Sequence, residues 1–200
     1  PRLTCWLLYL LYVCGQWHMG ARSAANLPIN RGFDSHVGFL KGAEDHFDQR
    51  SDFNGYAKTY IDLWQDHGPE PGRLNGTYSV ERDAAQAVQL IDKQDASRPL
   101  YLHVMFQACH SPYQVPERFR DPDIQNACRQ TYHAMSSAMD EGIGNITAAL
   151  KARQLWDETL LVFSADNGAP THGNGCGNNC GCGQIRTQHG SAGVLSFPTC

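Results

Sequence analysis

The chain has 200 residues, 42% of them hydrophobic and 18% charged, which is room for one domain with a core of its own. A formal net charge of −4 leaves no basic footprint for a nucleic acid. The apolar run of residues 3–13 is too short to cross a bilayer, so no membrane span is expected. It also lacks the small-residue cleavage site of a signal peptide, and reads as a buried strand.

The chain opens on Pro1 rather than Met and is therefore expected to be a fragment. It carries eight cysteines, whose pairing an even count does not fix. Asn75-Gly76-Thr77 and Asn145-Ile146-Thr147 are acceptor sequons for N-glycosylation. Sequons and cysteines together point to a lysosomal or secreted glycoprotein.

The first apolar run predicts a strand over residues 7–13 and delivers Gln16, Trp17 and His18 just past its carboxyl end. A histidine there can serve as a proton donor or a charge-stabilising group. Residues 27–52 and 52–76 show no helical period and read as long loops, with Tyr60 and Trp64 as packing anchors. Asp45, His46 and Asp48 in this region are expected in a solvated loop. Residues 79–94 predict a helix. Val80, Ala84, Ala87, Val88 and Ile91 lie on one face, and Ser79 is the expected N-cap.

Residues 100–106 predict a second buried strand, followed by His110. A long helix is expected over 128–153, with Tyr132, Met135, Met139, Ile143, Ile146 and Leu150 as its core stripe. A third apolar run predicts a strand over 160–164, ending in Asp166 and Asn167. A carboxylate beside an amide carbonyl offers two hard oxygens to Ca²⁺ or Mg²⁺. The alternation of helices and strands predicts an α/β fold. Ligands in such sheets sit beyond the carboxyl ends of the strands, so His18, His110, Asp166 and Asn167 are expected to converge there. Cys176, Cys180 and Cys182 lack the second close pair of a structural zinc site.

These motifs resemble the sulfatases, and most closely the arylsulfatase B type, the N-acetylgalactosamine-4-sulfatase group. The resemblance is carried by Gly15-Gln16-Trp17-His18-Met19-Gly20, Leu27-Pro28, Arg31-Gly32-Phe33-Asp34, and Gly38-Phe39-Leu40 with Gly42. It continues in His110-Ser111-Pro112, Gln114-Val115-Pro116-Glu117, Met139-Asp140-Glu141, Gly144-Asn145-Ile146-Thr147-Ala148-Ala149-Leu150 and Phe163-Ser164-Ala165-Asp166-Asn167-Gly168.

The resemblance implies an alkaline-phosphatase-like α/β fold, a mainly parallel sheet flanked by helices and truncated at both ends. Residues 1–179 would be a partial catalytic domain and 180–200 a divergent tail. The implied activity is hydrolysis of sulfate esters, with sulfated glycosaminoglycan sugars as the substrate class. Ca²⁺ is the implied cofactor, and a cysteine matured to formylglycine the implied nucleophile. His18 would support the formylglycine hydrate, and His110 would stand by the leaving oxygen and the sulfate. Asp166 and Asn167 would be two of the calcium ligands, and Gln16 and His110 would face the substrate.

The departures are as informative. None of the eight cysteines has the nucleophile's context, with Pro or Ala at the second place after it and Arg at the fourth. The paired aspartates of the calcium site are absent too. Gln16 replaces the lysine of the family's Gly-Lys-Trp-His, so a positive charge is lost. No turnover is therefore expected from these 200 residues alone. A catalytically inactive homologue that binds sulfated glycans or a partner is the alternative. A phosphodiesterase or phosphatase of the same superfamily is a third reading, disfavoured by the Gly-x-Trp-His and His-x-Pro motifs.

Overall fold

The structure, a computed structural model, describes residues 9–20, 22–53, 56–70 and 76–167. Three parallel strands form its centre. Strand β1 (Leu10–Gln16) pairs in parallel with β2 (Ser35–Phe39) on one side and with β7 (Leu100–Met105) on the other. Beyond β2, the short strands β5 (Trp64–Gln65) and β6 (Gly68–Pro69) add antiparallel, giving the order β6-β5-β2-β1-β7. A separate two-stranded ribbon joins β3 (Arg50–Phe53) to β4 (Tyr56–Ile61).

Two of the three expected strands thus appear, as neighbours in one sheet. The region expected as loop holds β2, because His36 and Gly38 break the apolar run that would have marked it. Of the two residues expected to anchor packing there, Tyr60 is 40% exposed with the Lys41 ammonium over its ring, and Trp64 donates its indole N–H to Asp62. Residues 160–164 carry no strand. Leu160, Val162 and Phe163 are exposed, and among the described residues β7 is the edge of the sheet. Apolar composition makes a strand favourable only where a neighbouring backbone accepts its hydrogen bonds, and no described strand lies beside this run.

Helix α1 (Ser79–Lys93) and helix α2 (Ala127–Ala152) form the layer over this sheet. Ala84, Ala87 and Ile91 of α1 pack with Cys14 of β1 and with Ile146, Ala149 and Leu150 of α2. Leu100, Leu102 and Val104 of β7 extend the cluster. Each large aliphatic side chain buried there contributes about 1.5–3 kcal/mol. The α2 stripe runs differently from expectation. Met135, Ile146 and Leu150 are buried, but Tyr132 is 39% exposed, and the small residues Ala134, Ala138 and Gly142 are buried as well, Gly142 against Ala84 and Val80 of α1. A β-carbon on Gly142 would lie 3.2 Å from that of Ala84, so small residues set the helix spacing.

Asn126 caps α2 by accepting from the Arg129 N–H at 2.9 Å. Ser79 is not the cap of α1. Tyr78 holds that place, and the Ser79 hydroxyl is engaged by His46. No helix among the described residues is long and apolar enough to cross a membrane.

Candidate functional site

The carboxyl ends of β1 and β7 lie side by side, since Gly15 pairs with Met105. Glycine is required where these strands meet. A β-carbon on Gly15, at φ +93°, would lie 2.1 Å from the Met105 carbonyl oxygen. One on Gly38 would lie 2.0 Å from the Gly15 carbonyl oxygen. Past β1, Trp17 anchors the turn. Its N–H donates to Phe39 O at 2.8 Å, its indole N–H donates to Asn26 O at 2.8 Å, and its ring meets Phe33 edge-on. This pins His18, which is exposed and sits at φ 49°, in the left-handed region.

The segment after β2 ties the two strand ends together. Gln16 Nε2 donates to Gly42 O at 3.0 Å and lies 3.3 Å from His18 Nδ1. Gly42 makes room for the imidazole, since a β-carbon there would lie 2.5 Å from His18 Nε2. Two residues on, the Glu44 N–H donates to Gln107 Oε1 at 3.1 Å, and Gln107 Nε2 returns a bond to Glu44 O at 2.7 Å. Gln107 Nε2 also lies 3.1 Å from His46 Nε2, which is 3.4 Å from His110 O. His110 is exposed, with its Nδ1 2.8 Å from Ser111 O. Residues 42–46 therefore link the support of His18 to that of His110.

Asp45 and His46, expected in a solvated loop, are buried. Asp45 accepts from the N–H groups of Phe47 and Asp48 and from Gln114 Nε2 at 2.7 Å. His46 Nδ1 lies 2.6 Å from Ser79 Oγ, and its ring stacks on Tyr78. Burial pushes the His46 imidazole down to about 4, so it is neutral at physiological pH. The partners Ser79 and Gln114 lie 33 and 69 residues away in the chain, which no local pattern reveals.

Beneath this segment lies a buried charge cluster that the sequence does not announce. Arg82 Nη1 donates to Glu44 Oε1 at 2.8 Å, and Arg82 Nε donates to Asp83 Oδ1 at 2.9 Å. All three side chains are fully buried. Burial, opposed by Arg82, pushes Glu44 up to about 8 and raises Asp83 as well. One guanidinium between two carboxylates leaves an excess negative charge, which a retained proton relieves.

Asp166 and Asn167 follow the unpaired 160–164 run instead of a strand end, and both are exposed. Asp166 Oδ1 accepts from the Asn167 N–H at 2.8 Å. Among the described residues no group of three or more His, Cys, Asp and Glu side chains forms a metal-holding cluster. Two oxygens fall short of the six to eight that Ca²⁺ takes. The described residues therefore do not by themselves fit that ion. Asn145 is exposed on α2, whereas Asn75 and Cys176, Cys180 and Cys182 lie outside the described residues.

Adjacent parallel strands with polar side chains beyond their carboxyl ends define an α/β domain of the kind that takes ligands at that end. The sulfatase family profile matches residues 9–191, and the chain belongs to the sulfatase family. It is 34% identical to mouse arylsulfatase J over 169 residues, covering 82% of this chain and 28% of that protein. Human arylsulfatase A is 27% identical, over 91% of this chain and 38% of its own length. The dog N-acetylgalactosamine-6-sulfatase is 26% identical, over 80% of this chain and 31% of its own.

Among solved structures, i-CgsB in complex with k-i-k-neocarrahexaose superposes with TM-score 0.69 at 30% identity, covering 80% of this chain and 38% of that one. The fold is thus the alkaline-phosphatase-like α/β fold of the sulfatases. The chain spans about a third of the length of these relatives.

Proposed function

We propose that this chain is part of a sulfuric ester hydrolase of the arylsulfatase type, acting on sulfated glycosaminoglycan sugars. The observation that carries the reading is the linked placement of His18 and His110 beyond neighbouring strand ends, in a chain of the sulfatase family. His18 would stand by the nucleophile, and His110 would donate to the departing alkoxide. Gln16 lies at the substrate edge. Asp166 and Asn167 would supply two hard oxygens to Ca²⁺, which neutralises sulfate charge when bound.

The motifs quoted above support the N-acetylgalactosamine-4-sulfatase type. Cys128 is disulfide-bonded, which supports a lysosomal or secreted setting with glycans on Asn75 and Asn145. The formylglycine nucleophile has no counterpart in these 200 residues, so residues 1–179 would be a partial catalytic domain with a divergent tail. The second reading is an inactive homologue that binds sulfated glycans or a partner; the uncharged Gln16 favours it.

The test is an aryl sulfate assay with added Ca²⁺. It compares the 200 residues alone with the product of the complete transcript. Turnover from the complete product, lost on His110→Ala, and none from the 200 residues is the expected result. A complete product without turnover that still retains sulfated glycosaminoglycan on a column establishes the second reading.

A further inference from the structure

We infer that Gln16 is a positioning residue that fixes which nitrogen of His18 carries the proton. Its consequence for catalysis rests on the site reading above, but the tautomer itself does not. Gln16 Nε2 contacts two groups, Gly42 O at 3.0 Å and His18 Nδ1 at 3.3 Å. A carbonyl oxygen only accepts, so the end of the amide facing Gly42 is its NH₂ group. That group has two N–H bonds. One goes to Gly42, and the other points to Nδ1, which must present a lone pair. In neutral His18 the proton then resides on Nε2.

The backbone reinforces this arrangement. His18 is held at φ 49° by the anchored Trp17, and Gly42 leaves the space that the imidazole fills. Gln16 is the last residue of β1 and His18 lies two residues beyond it, and both meet Gly42.

The assignment changes what Gln16 contributes. Both of its donors are committed within the protein, and its remaining oxygen repels an anion. Gln16 is therefore no direct ligand of a sulfate. It presets His18 as the Nε2–H form, whose free donor is the one that can serve an oxyanion.

The experiment is a long-range ¹H–¹⁵N correlation spectrum of the chain labelled in histidine, at a pH where His18 is neutral. The His18 signals are assigned by their loss in His18→Asn. The wild type is expected to show the Nε2–H tautomer. Gln16→Leu is expected to lower the Nε2–H to Nδ1–H ratio about fivefold, the bias that one neutral hydrogen bond supports. Gln16→Glu, whose carboxylate can only accept, is expected to move the proton to Nδ1. A wild type with the proton on Nδ1, or an unchanged ratio in Gln16→Leu, overturns the inference. Should a variant fail to fold, a wild-type proton on Nδ1 still overturns the inference, and the folded variant of the Gln16 pair supplies the comparison. Absence of sulfatase activity would leave the tautomer result standing and would count only against the proposed function.

Discussion

The Arg82 guanidinium lies 2.8 Å from the Glu44 carboxylate, with both side chains fully buried, and Asp83 shares the same guanidinium. Glu44 sits in the segment that carries both site histidines' supports, so this ion cluster is the underside of the site. Its protonation should be visible in the stability of the whole domain.

Glu44 is pushed up to about 8 by burial, against 4.5 for a free glutamate. Between these values the folded state binds more protons than the unfolded one, so stability falls as pH rises through the window. His36 and His46, pushed down to about 4 by burial, act oppositely, but only below their ordinary 6.5. Above pH 6.5 the histidine effects are complete, and Asp83, raised by the same burial, acts in the same direction as Glu44. Thermal denaturation should show a lower midpoint at pH 8 than at pH 6.5, and Glu44→Gln should flatten the difference. A flat wild-type profile would sink the assignment.

Arg82→Met should destabilise far more than any change at Glu44. It leaves two carboxylates buried without a cation, which costs about 3–5 kcal/mol. The urea midpoint should drop accordingly, and Arg82→Met combined with Glu44→Gln and Asp83→Asn should recover part of it.

Gly42→Ala should separate site geometry from folding. The new β-carbon meets the tip of the His18 ring, 2.5 Å from Nε2, and a side chain can swing away where a backbone could not. The melting temperature should barely move, whereas the His18 imidazole signals should shift. In the complete protein, turnover should fall by about 100-fold, the cost of misplacing a reacting group by an ångström.

Gly15→Ala should do the reverse and break the fold. Here the obstacle is the Met105 carbonyl, at 2.1 Å, and the backbone is at φ +93°. A loss of about 3 kcal/mol or more is expected, read as a lowered urea midpoint or insoluble expression. Gly144→Ala, on α2 with open space around it, is the matched control and should be neutral or stabilising by up to about 1 kcal/mol.

Gln107→Leu removes the only side chain that bonds both the N–H and the C=O of buried Glu44 among the described residues. Each stranded group costs about 1–3 kcal/mol, so chemical denaturation should report a clear loss. The backbone amide signal of His110 should shift with it, since that N–H donates to Gln107 O.

The elements that were legible in the sequence are those marked by an apolar run or by an apolar stripe at helical spacing. Strand β7 stands out as an apolar run, and the helices because Ala84, Ala87 and Ile91, and Met135, Ile146 and Leu150, recur at helical spacing. Strand β2 was not legible, since His36 and Gly38 are chosen for contacts with β1 instead of apolarity. The 160–164 run shows the opposite failure, strand composition without a neighbouring backbone. His18 and His110 were legible because each follows an apolar run. The supports Gly42, Glu44, His46 and Gln107 were not, because their chemistry depends on partners up to 68 residues away.

The bonds between Glu44 and Gln107 span 63 residues, and that from His46 N–H to Gln114 spans 68. Closing a loop of that length carries an entropic cost that local structure cannot recover, so these bonds form only once α1 and β7 have docked on β1. A peptide that lacks β1, residues 42–46 or β7 loses the bonds that link the supports of His18 and His110. The common support of His18 and His110 therefore arises late, in the one event that docks α1 and β7 on β1.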